Sequence, residues 1–264
     1  MRQIRQDWMI AGDVEYRFRA WVIAVIFFAA FEFYWRDHVS AAAAIAAFEF
    51  YWRDHVSAAA AIAALLTRGG GHAHAVETLI LAMGAALTLA AAALRTWAAT
   101  YMRSEVVHDP RVHDTRLVAD GPYRYVRNPL YLGTILLALG IAVAASRSGF
   151  LVLVTAMVLF TYRLTLREER ALAATQGESY RRYLATVPRL LPNLRPRVAA
   201  GGMQPRWGQA IRGELFMWAF AMTFVLFVMT GSTRLLMWGC IVATAMVLLM
   251  RRWSTGIAKK QIAQ

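Results

Sequence analysis

Long apolar runs alternate with short polar, arginine-rich segments along the whole chain. Runs long enough to cross about 30 Å of hydrocarbon as helix lie at 20–35, 76–101, 130–145, 150–166, 211–230 and 235–250. Several are short, so tilt or local thinning of the bilayer is expected. The first nineteen residues, MRQIRQDWMIAGDVEYRFR, are polar, and no small-residue cleavage pattern follows the first run. The pattern predicts a retained anchor beginning at Trp21 and an all-α fold, a polytopic membrane helix bundle of about six transmembrane helices. Three regions are expected: 1–101 with the first membrane helices, 102–197 with two further helices and cytoplasmic segments, and 198–264 as a C-terminal hairpin.

Charge orients this pattern. With both termini cytoplasmic and six crossings, the inside segments 1–19, 102–129, 167–210 and 251–264 hold 21 of the 29 Lys and Arg, and the outside segments hold five. That bias follows the positive-inside rule. The net charge of +13 accompanies 59% apolar residues, so anionic lipid headgroups rather than nucleic acid are the expected partners. An integral, multi-pass protein of a bacterial inner membrane is the expected setting. The single cysteine, Cys240, excludes an internal disulfide and a cysteine metal cluster.

One segment disturbs the regular order. FEFYWRDHVSAAAAIAA occupies 31–47 and recurs at once at 48–64. A seventh span there would send the arginine-rich loops outside, and Glu49, Arg53, Asp54 and His55 would each cost a few kcal/mol at a bilayer centre. The second copy is expected as helix that extends beyond the bilayer, lies in the interface or packs on the bundle. Seventeen residues advance a helix by about 25 Å and leave it out of register, so a repeated functional face is not expected.

The chemistry concentrates in VHDPRVHDTRLVADGPYRYVRNPLYLG at 107–133 and TYRLTLREERALAATQGESYRRYLATVPRLLP at 161–192. Asp120, Gly121 and Pro122 mark a tight turn. Pro129 suits the first position of a helix, with Asn128 as its N-cap. The free N–H groups of that first turn favour an anionic group. Arg124 and Arg127 read as plain inside charges and Tyr123 and Tyr131 as interfacial aromatics. In the second stretch, one of the adjacent Glu168 and Glu169 must face the bundle; the bland alternative is that both are solvated beside Arg167 or Arg170. The helix is expected to stop near Gly177, with Pro188 and Pro192 closing the segment. His72 and His74 read as loop residues, and no metal site is expected.

The order GPYRYVRNPLYLG, a span, EERAL and GESYRRYLATVPRLLP resembles the isoprenylcysteine carboxyl methyltransferase and phospholipid methyltransferase group of integral-membrane enzymes. The resemblance covers roughly 94–192. It implies a helical site that binds S-adenosylmethionine at the cytoplasmic ends of the spans, and a lipophilic methyl acceptor. By matching position it implies cofactor contacts at Thr115, Arg116, Leu117, Val118, Tyr123, Asn128, Pro129, Leu130, Tyr131 and Glu168. It also implies an arginine near the acceptor, one turn before the glutamate. Leu164 stands there, so either Arg163 or Arg167 serves or the contact is missing, and Glu169 is a further catalytic candidate.

Asn128 replaces the group's usual histidine, so base catalysis from this position is lost while hydrogen bonding survives. That favours an acceptor needing little base assistance, such as a carboxylate, over a lipid amine; Glu169, His108 or His113 remain alternative bases. Two rivals stand beside this reading: an NADPH-dependent membrane reductase of the sterol-reductase kind, and a non-catalytic protein that keeps the fold.

Overall fold

The computed structural model describes residues 10–35, 56–102, 118–236 and 238–246. Among these residues the regular structure is helical, apart from an isolated antiparallel bridge between Ser57 and Ser146. The helices are α1 (Asp13–Arg17), α2 (Arg19–Trp35), α3 (Ala58–Thr67), α4 (Ala73–Ala99), α5 (Pro129–Ala142), α6 (Arg147–Thr186), α7 (Trp207–Thr230) and α8 (Thr233–Met246). A 3₁₀ turn, Gly121–Arg124, precedes α5.

Three of them, α4, α6 and α7, are long and apolar enough to cross a membrane by length and composition. The run expected at 130–145 forms only the fourteen residues of α5, about 21 Å of helix. The reason lies at its end. The carbonyls of Val143 and Ala145 accept the Ala59 and Ala58 N–H groups at 2.9 and 2.8 Å, so these residues leave the helix to satisfy the exposed amide end of α3. α6 runs 40 residues and breaks only at Gly177, whose φ of 61° and ψ of −133° suit glycine alone. Where the sequence led us to expect a stop, the helix breaks and then resumes, running on to Thr186.

The chain divides into two compact units, Met1–Thr88 with Ile135–Arg167, and Leu89–Thr134 with Glu168–Gln264. In the first, Ala138, Ala142, Leu153 and Met157 form a buried core covered by Ile23, Ile26, Phe27, Phe150 and Val154. Small residues allow close helix approach here: a Cβ on Gly140 would sit 2.6 Å from the Gly84 carbonyl oxygen. The described part of the second repeat copy joins this unit as α3. Ser57 caps it, accepting from Ala60 N at 3.0 Å while donating to Glu77 at 3.2 Å, and Ala58, Ala59 and Ala63 are buried. The charged residues Glu49, Arg53, Asp54 and His55 lie outside the described residues.

Residues 10–17 are clamped onto α6 in the same unit. Arg163 donates to Glu15 at 2.7 Å and to the Ile10 carbonyl at 3.2 Å. Arg167 pairs with Asp13, donates to the Ala11 carbonyl at 2.9 Å, and lies over the Tyr16 ring at 4.7 Å.

In the second unit, residues 187–206 form an irregular strap held along the 120–127 turn. Arg127 N donates to the Pro188 carbonyl at 2.8 Å, Asn193 N to Tyr125 at 3.0 Å, and Arg197 N to Arg124 at 2.8 Å. Buried Asp120 accepts from Gly201 N at 2.6 Å and Met203 N at 3.0 Å. Beneath the strap Tyr180, Tyr183 and Val187 pack with Ala119, Leu172 and Val198.

The N-terminal clamp should be pH-sensitive. The Gly12 N–H, then the Arg163 guanidinium, hold the Glu15 carboxyl below its ordinary 4.5. A depressed carboxyl contributes fully above its ordinary value and ceases to contribute as pH falls through the folded one. Hydrogen exchange should therefore show the Gly12 amide protected at about pH 6 and released at about pH 3. A Glu15→Gln chain should show no such transition.

Candidate functional site

The two sequence stretches singled out for chemistry meet in the second unit through the adjacent carboxylates of α6. Successive helical residues point about 100° apart, so Glu168 and Glu169 enter different surroundings. Glu169 is 5% exposed. Its Oε1 accepts from Asn128 Nδ2 at 3.0 Å, and its Oε2 accepts from Arg189 Nε at 3.0 Å and faces Arg127 Nη1 at 3.4 Å. A buried carboxylate needs such company, because unpaired it costs several kcal/mol. Arg127, expected as a plain inside charge, is thus part of a buried cluster, and its side chain is only 11% exposed.

Glu168 is half-buried and accepts from the Tyr131 hydroxyl at 2.7 Å. Asn128 and Tyr131 flank the start of α5, and the Asn128 carbonyl takes the helix bond from Leu132 N at 3.0 Å. The Asn128 side chain donates both amide protons, to Glu169 and to the Arg189 carbonyl at 3.2 Å. Two acceptors suit an amide, which has two N–H donors on one nitrogen; a neutral imidazole has a single N–H.

Tyr123 sits in the 3₁₀ turn, 8% exposed. Burial, then the neighbouring Tyr183 and Glu168, push its phenol far above the usual range. Burial does the same to Tyr180 and Tyr183, and Tyr183 donates to the Tyr123 carbonyl at 2.8 Å. These phenols stay neutral, as donors rather than bases. Two buried donor atoms here, Tyr123 Oη and Arg127 Nε, have no hydrogen-bond partner among the described residues, although groups of this kind are ordinarily satisfied.

Of the other residues expected at the site, Pro129 is buried at the head of α5 and the Leu130 carbonyl accepts from Arg95 at 3.0 Å. Val118 is half-buried just ahead of the turn. Arg163 and Arg167 belong to the first unit and hold residues 10–17. Thr115, Arg116, Leu117, His108 and His113 lie outside the described residues. His74, at the start of α4, is 93% exposed and 3.9 Å from Glu77. The sequence reading passed over Arg189, Arg95 and Glu214, and took Asp120 only as a turn residue. For Arg95 and Glu214 the signal was present, since a lone charge inside an apolar run demands a partner.

Residues 79–179 match the family model for phospholipid methyltransferases. Protein-S-isoprenylcysteine O-methyltransferase of Schizosaccharomyces pombe is 36% identical over 91 residues. That alignment spans 34% of this chain and 38% of the relative, so this chain covers well under half of the relative's length. No solved structure gives a significant match. The resemblance read from the motifs is thus supported within 79–179 by a match to the same group of methyltransferases.

The adjacent carboxylates should differ sharply on mutation. Glu169→Gln leaves two guanidinium groups facing a neutral amide and should cost about 3–5 kcal/mol. Glu168→Gln, half-buried beside a phenol, should cost about 1 kcal/mol. Thermal unfolding of the two detergent-purified variants measures the contrast.

Proposed function

We propose that this chain is an integral-membrane methyltransferase that moves a methyl group from S-adenosylmethionine to the carboxylate of a lipophilic acceptor, with six crossings and both termini on the cytoplasmic side. The observation that supports this most is the meeting of Tyr123, Asn128 and Tyr131 with Glu168 and Glu169 in one partly buried cluster, within the segment that matches the methyltransferase family model.

The cluster's donors fit such a cofactor. The unpartnered Tyr123 hydroxyl and Arg127 Nε suit acceptor oxygens, and the first-turn N–H groups of α5 suit a carboxylate. Glu168, already accepting from Tyr131, is oriented to accept from a ribose hydroxyl or an amino group. Val118, Pro129 and Leu130 complete the contacts. S-adenosylmethionine, when bound, supplies an electrophilic methyl group on a positively charged sulfur.

The protein's own contribution is alignment and exclusion of water. The Glu169 carboxylate is committed to Arg127, Arg189 and Asn128, so its role is to position the turn rather than to take a proton. Asn128 and the neutral phenols offer no base either. A carboxylate acceptor is already nucleophilic and needs none, whereas an ammonium must first lose a proton. Arg163 and Arg167 stay candidates for holding the acceptor's carboxylate, in competition with Glu15 and Asp13. The name of the matched family model supports a second reading, N-methylation of a phospholipid amine. Both matches bear the names of methyltransferases, which leaves the NADPH-reductase alternative resting on the short stretch Arg127 to Tyr131, RNPLY, whose Arg-x-Pro-x-Tyr form resembles an element of such reductases.

Labelled S-adenosylmethionine should bind saturably to the detergent-purified full chain, with Glu168→Ala weakening it at least about tenfold, 1.4 kcal/mol. Incubation with a total lipid extract should yield label that alkali releases as methanol, the mark of a methyl ester. Alkali-stable label in a phospholipid would establish the amine reading instead, and NADPH binding without S-adenosylmethionine binding would sink both.

A further inference from the structure

Inside the second unit lies an ion pair that the proposed reaction does not use. Arg95 of α4 and Glu214 of α7 form a bidentate fork, Nε to Oε2 at 2.7 Å and Nη2 to Oε1 at 3.0 Å. Their side chains are 14% and 3% exposed. Both helices belong to the candidate spans, where a charge is costly and ordinarily serves function. Helix-to-helix adhesion alone would not require it, since a matched apolar pair holds helices as well or better.

What separates this pair from simple adhesion is the third guanidinium nitrogen. Arg95 Nη1 donates to the Leu130 carbonyl at 3.0 Å and to Thr134 Oγ1 at 2.8 Å. Both acceptors lie in the opening turns of α5, which carry Tyr131 and directly follow Asn128. The backbone of α5 is shaped for this reach. A Cβ on Gly133 would collide with Arg95 Cγ and lie 3.2 Å from the Ala91 carbonyl, so only glycine lets the arginine stem cross. α7 grips the same point of α4 a second time, four residues on, through Trp218 Nε1 to Thr96 Oγ1 at 3.0 Å. A fork rotates little about its own plane, so Glu214 fixes where Nη1 points, and Nη1 fixes the head of α5.

We propose that Glu214, which lies beyond the 79–179 family match, is a positioning residue for the cofactor site. Through Arg95 it sets the first turn of α5 and hence the approach of Tyr131 to Glu168. The C-terminal segment is therefore part of the functional unit rather than an appended anchor. This rests on the S-adenosylmethionine reading above.

The test uses the full chain in detergent, with labelled S-adenosylmethionine as probe and thermal unfolding as control. The apolar pair Arg95→Met with Glu214→Leu should keep its unfolding temperature near that of the parent yet bind at least tenfold more weakly. Tyr131→Phe should cost much less affinity in that background than in the parent, a coupling that a merely structural role would not produce. If the apolar pair does not fold, Thr134→Val carries the test, because it removes one Nη1 acceptor and spares the fork. It should weaken binding about threefold, roughly 0.6 kcal/mol, while Glu214→Asp, which keeps the charge, should retain more affinity than Glu214→Gln. Unchanged affinity in a folded apolar pair, or in Thr134→Val, overturns the proposal and leaves the cofactor reading intact. Absence of binding by the parent chain overturns both.

Discussion

The Glu169 carboxylate is the constraint on which the site depends. A charge buried to this degree must be neutralised and hydrogen-bonded where it stands, and its partners come from two other segments. Arg127 and Asn128 belong to the turn before α5, Arg189 to the strap after α6, and Glu169 itself to α6. Satisfying one carboxylate thereby draws together segments separated by 20 and 41 residues. The strap's backbone bonds to Arg124, Tyr125 and Arg127 then fasten what the charge has assembled. With those partners filled, Glu169 is held in place, while Glu168 accepts from Tyr131 and is the carboxylate that the proposed function assigns to the cofactor.

That division shapes what the site can do. Apart from Glu168, which already accepts from Tyr131, the groups of the cluster are donors or neutral: two phenols, an amide, guanidinium nitrogens and helix N–H groups. Such a site stabilises and aligns oxygen-bearing ligands, and it has little means of removing a proton. The physical bias is towards an acceptor that arrives already ionised. Holding the head of α5 in place then matters more than supplying a base, and the Arg95 to Glu214 fork does the holding from the opposite side.

Much of the local structure was legible from the letters. Pro129 marked the start of α5 and Gly177 the break in α6, because each carries a backbone preference that needs no distant partner. The ordered motif pieces led to the methyltransferase group for the same reason: their spacing is local. Long-range pairing was not legible. Nothing in the sequence tells that Glu169 pairs with Arg189 rather than with adjacent Arg170, since both spacings are open to a charge at a helix exit. The end of α5 was misread because the carbonyls of Val143 and Ala145 serve α3, a demand arising some 85 residues earlier in the chain. Of the doubled segment, the described residues show a capped helix packed by its alanines, the role that its helix-prone composition implied.

The central claim is that the 121–131 turn and Glu168 of α6 bind S-adenosylmethionine. Ultraviolet cross-linking of radiolabelled S-adenosylmethionine to the intact, detergent-solubilised protein, followed by peptide mapping, tests it most directly. The account predicts label on the peptides that contain Tyr123 to Tyr131 and Glu168, suppressed by excess unlabelled S-adenosylhomocysteine. Competed label confined to residues 56–88 or to α7 would contradict it.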